Sequence, residues 1–243
     1  GSEMCIRDST ETICIPFGGC FNLIVSDAGG NGITGGGYVL RDDAGNRVID
    51  NAGNGAAFTT TSQAAQPFCS PVGTDKLLNS SCDKENWNAN QFIIASNNAA
   101  VSAQFGVGNQ TDDGYEFWFF NPNGGYSRRV FISHANPNTG APAGVNAAAH
   151  LRFSSITSNP VPANVLLNVR VRTRVNGVSS VYGPACRFKL EVPPSLCPTT
   201  QLVPTQGSTF SCGATGKIVG ASGSTGRIHA CLLYTSPSPR DRG

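Results

Sequence analysis

Leu167-Asn168-Val169-Arg170-Val171-Arg172-Thr173-Arg174-Val175 is the stretch that decides the fold class. Its alternation is strict. Leu167, Val169, Val171, Thr173 and Val175 point one way, and Asn168, Arg170, Arg172 and Arg174 point the other. Side chains along a strand change face at every residue, so the pattern predicts a half-buried strand with a solvated basic face. A loop from Asn176-Gly177-Val178 to Gly183-Pro184 leads into a second alternating run, Cys186-Arg187-Phe188-Lys189-Leu190-Glu191-Val192. Upstream, Phe92-Ile93-Ile94, Val101-Ser102-Ala103-Gln104-Phe105, residues 115–120, Arg129-Val130-Phe131-Ile132 and Leu151-Arg152-Phe153 supply the remaining strands of this region. None shows sustained 3.6-residue periodicity, and the expectation is all-β.

The N-terminal third reads the same way on a smaller scale. Phe21-Asn22-Leu23-Ile24-Val25-Ser26 is a strand, and Asp27-Ala28-Gly29-Gly30-Asn31-Gly32 is a turn rich in positions that tolerate positive φ. Gly37-Tyr38-Val39-Leu40-Arg41, Arg47-Val48-Ile49-Asp50 and Ala57-Phe58-Thr59-Thr60-Thr61 follow, the first two separated by Asp43-Ala44-Gly45-Asn46. Turn signals at this spacing predict a small antiparallel sandwich. The expected organisation is two consecutive antiparallel β-sandwich modules, residues 13–76 and 77–193. Residues 194–230 read as a linker and the start of a third module.

Composition narrows the function classes. The chain has 243 residues, a net charge of +2 and only 13% charged residues. A nucleic-acid binder would carry a concentrated basic stripe, so nucleic acid is not expected as a partner. No apolar run reaches the roughly 20 residues of a membrane helix. The nine cysteines lack the close pairing of zinc ligands. Scattered cysteines in a turn-rich chain point to disulfides and an oxidising compartment, hence an extracellular or cell-surface location. Keeping each bond within one module pairs Cys20 with Cys69 and Cys82 with Cys186, and leaves Cys14 without a mate. Cys197 and Cys212 are candidates to pair in the third module. A bridge from Cys20 to Cys69 closes a loop of about 50 residues and contributes on the order of 4 kcal/mol in the chain-entropy model.

Nucleophilic catalysis needs a base beside a Ser or Cys. The three histidines, His134, His150 and His229, offer none, the first two being expected on the surface around a Pro/Gly/Ala-rich loop. No GxSxG surrounds Ser222, and Gly213-Ala214-Thr215-Gly216-Lys217 is too short for a phosphate loop and is followed by Ile218. No catalytic residue and no cofactor is expected. Asp27, Gly29, Asn31 and Gly32 have only a trace of calcium-loop spacing, with Tyr38 where the loop needs Glu, and Asp112-Asp113-Gly114 reads as a turn. Weak candidates for a ligand face are Trp118 and the ladder Arg170, Arg172 and Arg174. The ladder, joined by Arg187 and Lys189, could hold an anionic polysaccharide, or could be a solvated face that discourages edge-to-edge pairing. In Tyr115-Glu116-Phe117-Trp118-Phe119-Phe120 both faces are aromatic, so Trp118 and Phe120 are expected to be covered. Sugar binding predicts Trp118 or Tyr38 exposed in a concave face; a structural role predicts both buried.

Two resemblances extend these readings. The run Asn168 to Gly177, then Ser179-Ser180, Gly183-Pro184 and a final alternating strand, resembles the last two strands of a fibronectin type III domain. That family's Tyr at the start of the penultimate strand is missing, with Leu166 or Leu167 near its place. More broadly, Cys20-Phe21-Asn22-Leu23, Gly36-Gly37-Tyr38, residues 112–119 and Tyr182-Gly183-Pro184-Ala185-Cys186-Arg187 resemble segments of large repetitive secreted proteins of Bacteroidota. That resemblance implies export by the type IX route and a surface or gliding-associated role, with neighbouring modules of the same parent chain as partners. At the ends, Met4-Cys5-Ile6-Arg7-Asp8-Ser9 and the run from Cys231 to Gly243 resemble translated sequencing-adapter DNA. Residues 1–12 and 231–243 are therefore expected to lie outside the fold. The function expected is a non-catalytic structural or adhesive segment, with a carbohydrate-binding module appended to a secreted hydrolase as the alternative.

Overall fold

Residues 10–25, 31–55, 66–108 and 113–191 are described by the computed structural model, and all belong to one contact unit. Strands dominate them, and helix is confined to short turns. The main sheet is built on the long alternating stretch. It runs β5 (Lys84–Trp87), β12 (Cys186–Leu190), β10 (Leu166–Val175), β7 (Gly114–Phe120), β8 (Ser127–Ser133), with β11 (Val178–Ser179) folded back on the end of β10. β7, β8, β10 and β12 pair antiparallel, whereas β5 joins β12 in parallel. The wholly antiparallel sheet expected from sequence is corrected at this edge, where a four-residue strand of polar character, Lys84-Glu85-Asn86-Trp87, escapes pattern reading.

A second, two-stranded sheet pairs β6 (Phe92–Ile94) with β9 (His150–Arg152). Its Ile93 and Leu151 share one apolar cluster with Phe117 and Phe119 of β7, Leu167, Val169 and Val171 of β10, and Phe188 of β12. The register explains the sorting, because Val169 lies opposite Phe119 and Val171 opposite Phe117 on one face. Phe153 seals the centre, its ring 5.0 Å from that of Phe188 and 5.3 Å from that of Trp87.

The expected strand at residues 101–105 is instead a turn of helix, α1 (Ala99–Ser102), followed by turns. Asn98 caps it, its side-chain oxygen accepting from the Ala100 N–H. An Asn followed by two alanines favours a helix start over a strand, and Val101 still reaches the core from there.

The N-terminal segment forms two ribbons. β1 (Cys20–Leu23) pairs antiparallel with β4 (Gln66–Cys69), and β2 (Val39–Arg41) with β3 (Arg47–Asp50). Asp42 closes the β2–β3 turn by accepting from the Asn46 N–H through its side chain at 2.7 Å, with Gly45 at φ +82°. The expected strand at residues 57–61 lies outside the described residues.

These ribbons lie on the face of the main sheet that was expected to be solvated. Val48, Ile49 and Phe68 cluster with Trp118 and Phe120, and Phe21, Leu23, Tyr38, Leu40 and Val72 pack around them. Polar locks fix the contact. The Asp50 N–H donates to Asn168 Oδ1 at 2.6 Å, and Asn168 Nδ2 donates to the Asp50 carbonyl at 2.7 Å. The Tyr38 hydroxyl donates to the Pro122 carbonyl at 2.6 Å, and the Ala185 N–H to the Arg47 carbonyl at 2.7 Å. A shared cluster therefore crosses the module boundary expected at 76/77. The solvated face is corrected as well: Asn168 is 0% and Arg170 2% exposed.

Cys20 and Cys69, opposite one another in the β1–β4 ribbon, form a disulfide, as do Cys82 and Cys186. Cys14 is free and exposed. Cys197 and Cys212 lie outside the described residues. No helix among the described residues is long and apolar enough to cross a membrane.

Candidate basic groove

Where the N-terminal ribbons meet the outer face of the main sheet, they leave a groove of ≈ 590 Å³. Its floor is apolar and buried, made by Trp118 of β7 and Phe68 of β4. Arg129 of β8 and Arg170 and Arg172 of β10 form its basic wall. Its rim carries Pro67, Pro71, Ser179 and Ser180, all exposed. No carboxylate among the described residues lines it.

Strand register brings the cations together. Arg170 lies opposite Trp118, which lies opposite Arg129 in turn, so three strands project these side chains from one face. Arg172, two residues beyond Arg170, shares that face and pairs with Glu116 at 3.0 Å. Its Nε is buried without a hydrogen-bond partner. The Arg129 guanidinium lies 4.9 Å from the centre of the Trp118 ring, an attraction of cation for π-face that holds it over the floor.

Arg170 stands out because burial strips its guanidinium of water and gives it no carboxylate in exchange. Nε donates to the Gly183 carbonyl at 2.6 Å and Nη2 to the Tyr182 carbonyl at 2.8 Å. Burial pulls its pKa down to about 10, against weaker opposing attraction from Tyr182 and Asp42, and the group remains a cation at neutral pH. Buried charges are ordinarily paired. Tyr182 stands beside it with its ring 4.6 Å from the Arg172 guanidinium and its hydroxyl donating to Glu116. Burial first, then that hydrogen bond, pushes the Tyr182 phenol up.

Three of the four ligand-face residues read from sequence, Trp118, Arg170 and Arg172, thus converge on one groove. Arg174 does not line it; its guanidinium sits 3.7 Å from the centre of the Phe131 ring. Trp118 is 3% exposed and Tyr38 half-buried, so neither is an open stacking platform for a sugar. Arg129 and Tyr182 were not among the candidates. The alternation of β8 contains Arg129, but its place opposite Trp118 depends on a register that no single strand encodes.

Elsewhere, chemistry-bearing residues are engaged structurally. His134, expected at the surface, is buried with Nε2 3.0 Å from the Val101 carbonyl. His150 Nδ1 is 2.7 Å from the Asn146 carbonyl. Cys82, Asp83 and Cys186 lie within ligating distance of one another, but the two sulfurs are bonded to each other. Arg187 binds Glu85 at 2.6 Å and Asp50 at 3.2 Å, and Arg47 reaches Asp50 at 2.9 Å and Asp83 at 2.6 Å. This network ties β3 to β12 beside the second disulfide. Of the residues with calcium-loop spacing, Asp27 and Gly29 lie outside the described residues, as does Asp112. Asp113 is buried, accepting from the Asn176 N–H at 2.6 Å to brace the β10–β11 turn. Comparison of the whole chain with family models, curated proteins and solved structures finds no match.

Proposed function

We propose that this chain is a non-catalytic segment of an exported surface protein, built to display, space or adhere. The observation that carries the reading is the placement of its two disulfides. Cys20–Cys69 closes the ribbon that covers the main sheet, and Cys82–Cys186 ties the approach to β5 to the start of β12. Crosslinks at both layers of a β fold suit an oxidising compartment, where they persist. The order β12-β10-β7-β8, with β6–β9 across the core, supports a fibronectin type III-like sandwich for residues 77–193. The ribbons then act as a lid over a sheet face that would otherwise be an exposed aromatic patch.

The test is cell fractionation of the source organism with an antibody raised against the folded chain, joined to non-reducing peptide mapping. Labelling of intact cells, with Cys20 linked to Cys69 and Cys82 to Cys186, is the expected result. Recovery only inside the cell with all thiols reduced would overturn the proposal.

A further inference from the structure

The basic groove deepens that reading by giving adhesion a chemistry. We propose that it binds an acidic saccharide chain through a carboxylate or sulfate group, seated between Arg129 and Arg172 and above Arg170. The inference rests on the adhesive reading, and three independent features lead to it.

The first is charge. Three guanidinium groups line the groove, and among the described residues the one ion pair they make is that of Arg172 with Glu116. An oxyanion in the groove would face the charge of Arg170, whose guanidinium, among the described residues, hydrogen-bonds only to the Gly183 and Tyr182 carbonyls. Guanidinium groups recognise carboxylates and sulfates through paired N–H donors, and such charge-assisted bonds are among the stronger ones a protein makes. The second is accessibility. Arg129 is exposed and lies over the Trp118 ring, and no carboxylate among the described residues pairs with it, so its N–H groups face the groove. The third is the rim. Ser179 offers a hydroxyl, and Pro67 and Pro71 offer flat apolar faces. A peptide that adds as a strand is held by main-chain hydrogen bonds to a sheet edge, and the prolines of this rim donate none. Hydroxyl-bearing rings with apolar faces fit this rim better. Charge recognition here stands where aromatic stacking would in a neutral-sugar site, which reconciles the groove with the burial of Trp118.

The experiment uses the full oxidised chain and follows tryptophan fluorescence and calorimetric heat on adding four probes. These are an oligogalacturonate, a heparin-derived hexasaccharide, a neutral cello-oligosaccharide and a glutamate oligopeptide. Binding of the uronate or the sulfated probe is expected, weakening as salt rises, with neither the neutral sugar nor the peptide competing. Which of the two acidic sugars binds tells carboxylate from sulfate. Arg129→Ala removes an exposed side chain and should lower affinity about tenfold or more, while Arg41→Ala, outside the groove, leaves it unchanged. Arg129→Glu should abolish binding, and near-UV circular dichroism shows whether each variant is folded. Binding by the wild type that survives Arg129→Glu overturns the groove and leaves adhesion standing. Equal binding of the glutamate peptide overturns the saccharide assignment. Failure of the wild type to bind any probe, or whole extracellular matrix from the source, overturns the groove and the adhesive reading together.

Discussion

When the chain is held at its two ends and pulled, tension that reaches Cys82 crosses the disulfide to Cys186 and leaves through β12. The residues between the two cysteines, which hold most of the main sheet and all of the β6–β9 sheet, carry no tension while the bond is intact. A sequence separation of 104 residues, at up to about 3.6 Å per extended residue, corresponds to about 370 Å of protected chain. The Cys20–Cys69 bond, with a separation of 49, protects about 180 Å more on the same basis. Optical tweezers with handles on both termini measure this length directly. The perturbation is the double variant Cys82→Ala/Cys186→Ala, compared with the oxidised wild type. The variant should release about 370 Å more chain on unfolding than the wild type. Loss of so long a crosslinked loop costs on the order of 4.7 kcal/mol in the chain-entropy model, so folding of the variant is verified first at zero force. Adding a reductant to the stretched wild type gives the same extra length by a second route. Equal extension of oxidised wild type and double variant would refute the argument, since tension would then be reaching the enclosed strands.

Four other perturbations test particular contacts. Asn168→Ala leaves the Asp50 N–H and carbonyl buried without partners; at about 1–3 kcal/mol for each orphaned group, urea denaturation should show a loss of several kcal/mol, and a change within error would show the lock to be idle. Burial raises the Asp50 carboxyl, but the Arg47 hydrogen bond, the Ala52 N–H and the charges of Arg187 and Arg47 together outweigh it, so its folded pKa is lowered. Stability from Asp50 is present above the ordinary carboxylate range and is lost as pH falls through the lower folded value, so Asp50→Asn should flatten the acid side of a melting-temperature profile. Burial pushes the Tyr38 phenol up to about 12 and raises Tyr115, Tyr126 and Tyr182 as well. The fold favours neutral phenols, and that contribution, complete below pH about 10, is lost as pH rises towards 12; absorbance at the phenolate band should therefore rise together with unfolding, and independent titration near the free value would contradict this. Gly183→Ala would drive its new methyl group into the Asp75 carbonyl and should destabilise by about 1–3 kcal/mol, whereas Gly108→Ala, in open space, should melt within error of the wild type.

Much of the main sheet was legible because its core face obeys a period of two. Leu167, Val169 and Val171, with Phe117, Phe119 and Phe188, announce one buried face, and the structure buries them together. The strands that escaped are those with no alternation to read: the polar β5, and β4, whose Pro67 argues against a strand unless the edge beside it is free. At residues 101–105 apolar content suggested a strand, but the cap at Asn98 decided for helix. Keeping each bond within one expected module gave the pairs Cys20–Cys69 and Cys82–Cys186, and the structure joins the same cysteines.

The arginine ladder shows what alternation leaves out. Alternation says that Arg170 and Val171 face opposite ways; it does not say that the Arg face is wet. Here a separate piece of chain, the ribbons β1–β4 and β2–β3, lies on that face, and Asn168 and Arg170 are buried with Trp118 and Phe120. The sequence carries one hint of this: aromatic residues on both faces of β7 leave no polar side for solvent, so the outer face needed a cover. Register places Arg170 across from Trp118 on the β10 side, where the cover reaches it, and Arg129 across from Trp118 on the β8 side, where the side chain stays exposed. The same cover that buries Arg170 stops short of Arg129 on β8, and the groove is the space left between them. Its charge therefore follows from two facts that act together, an alternating basic strand and a lid that closes over only part of it.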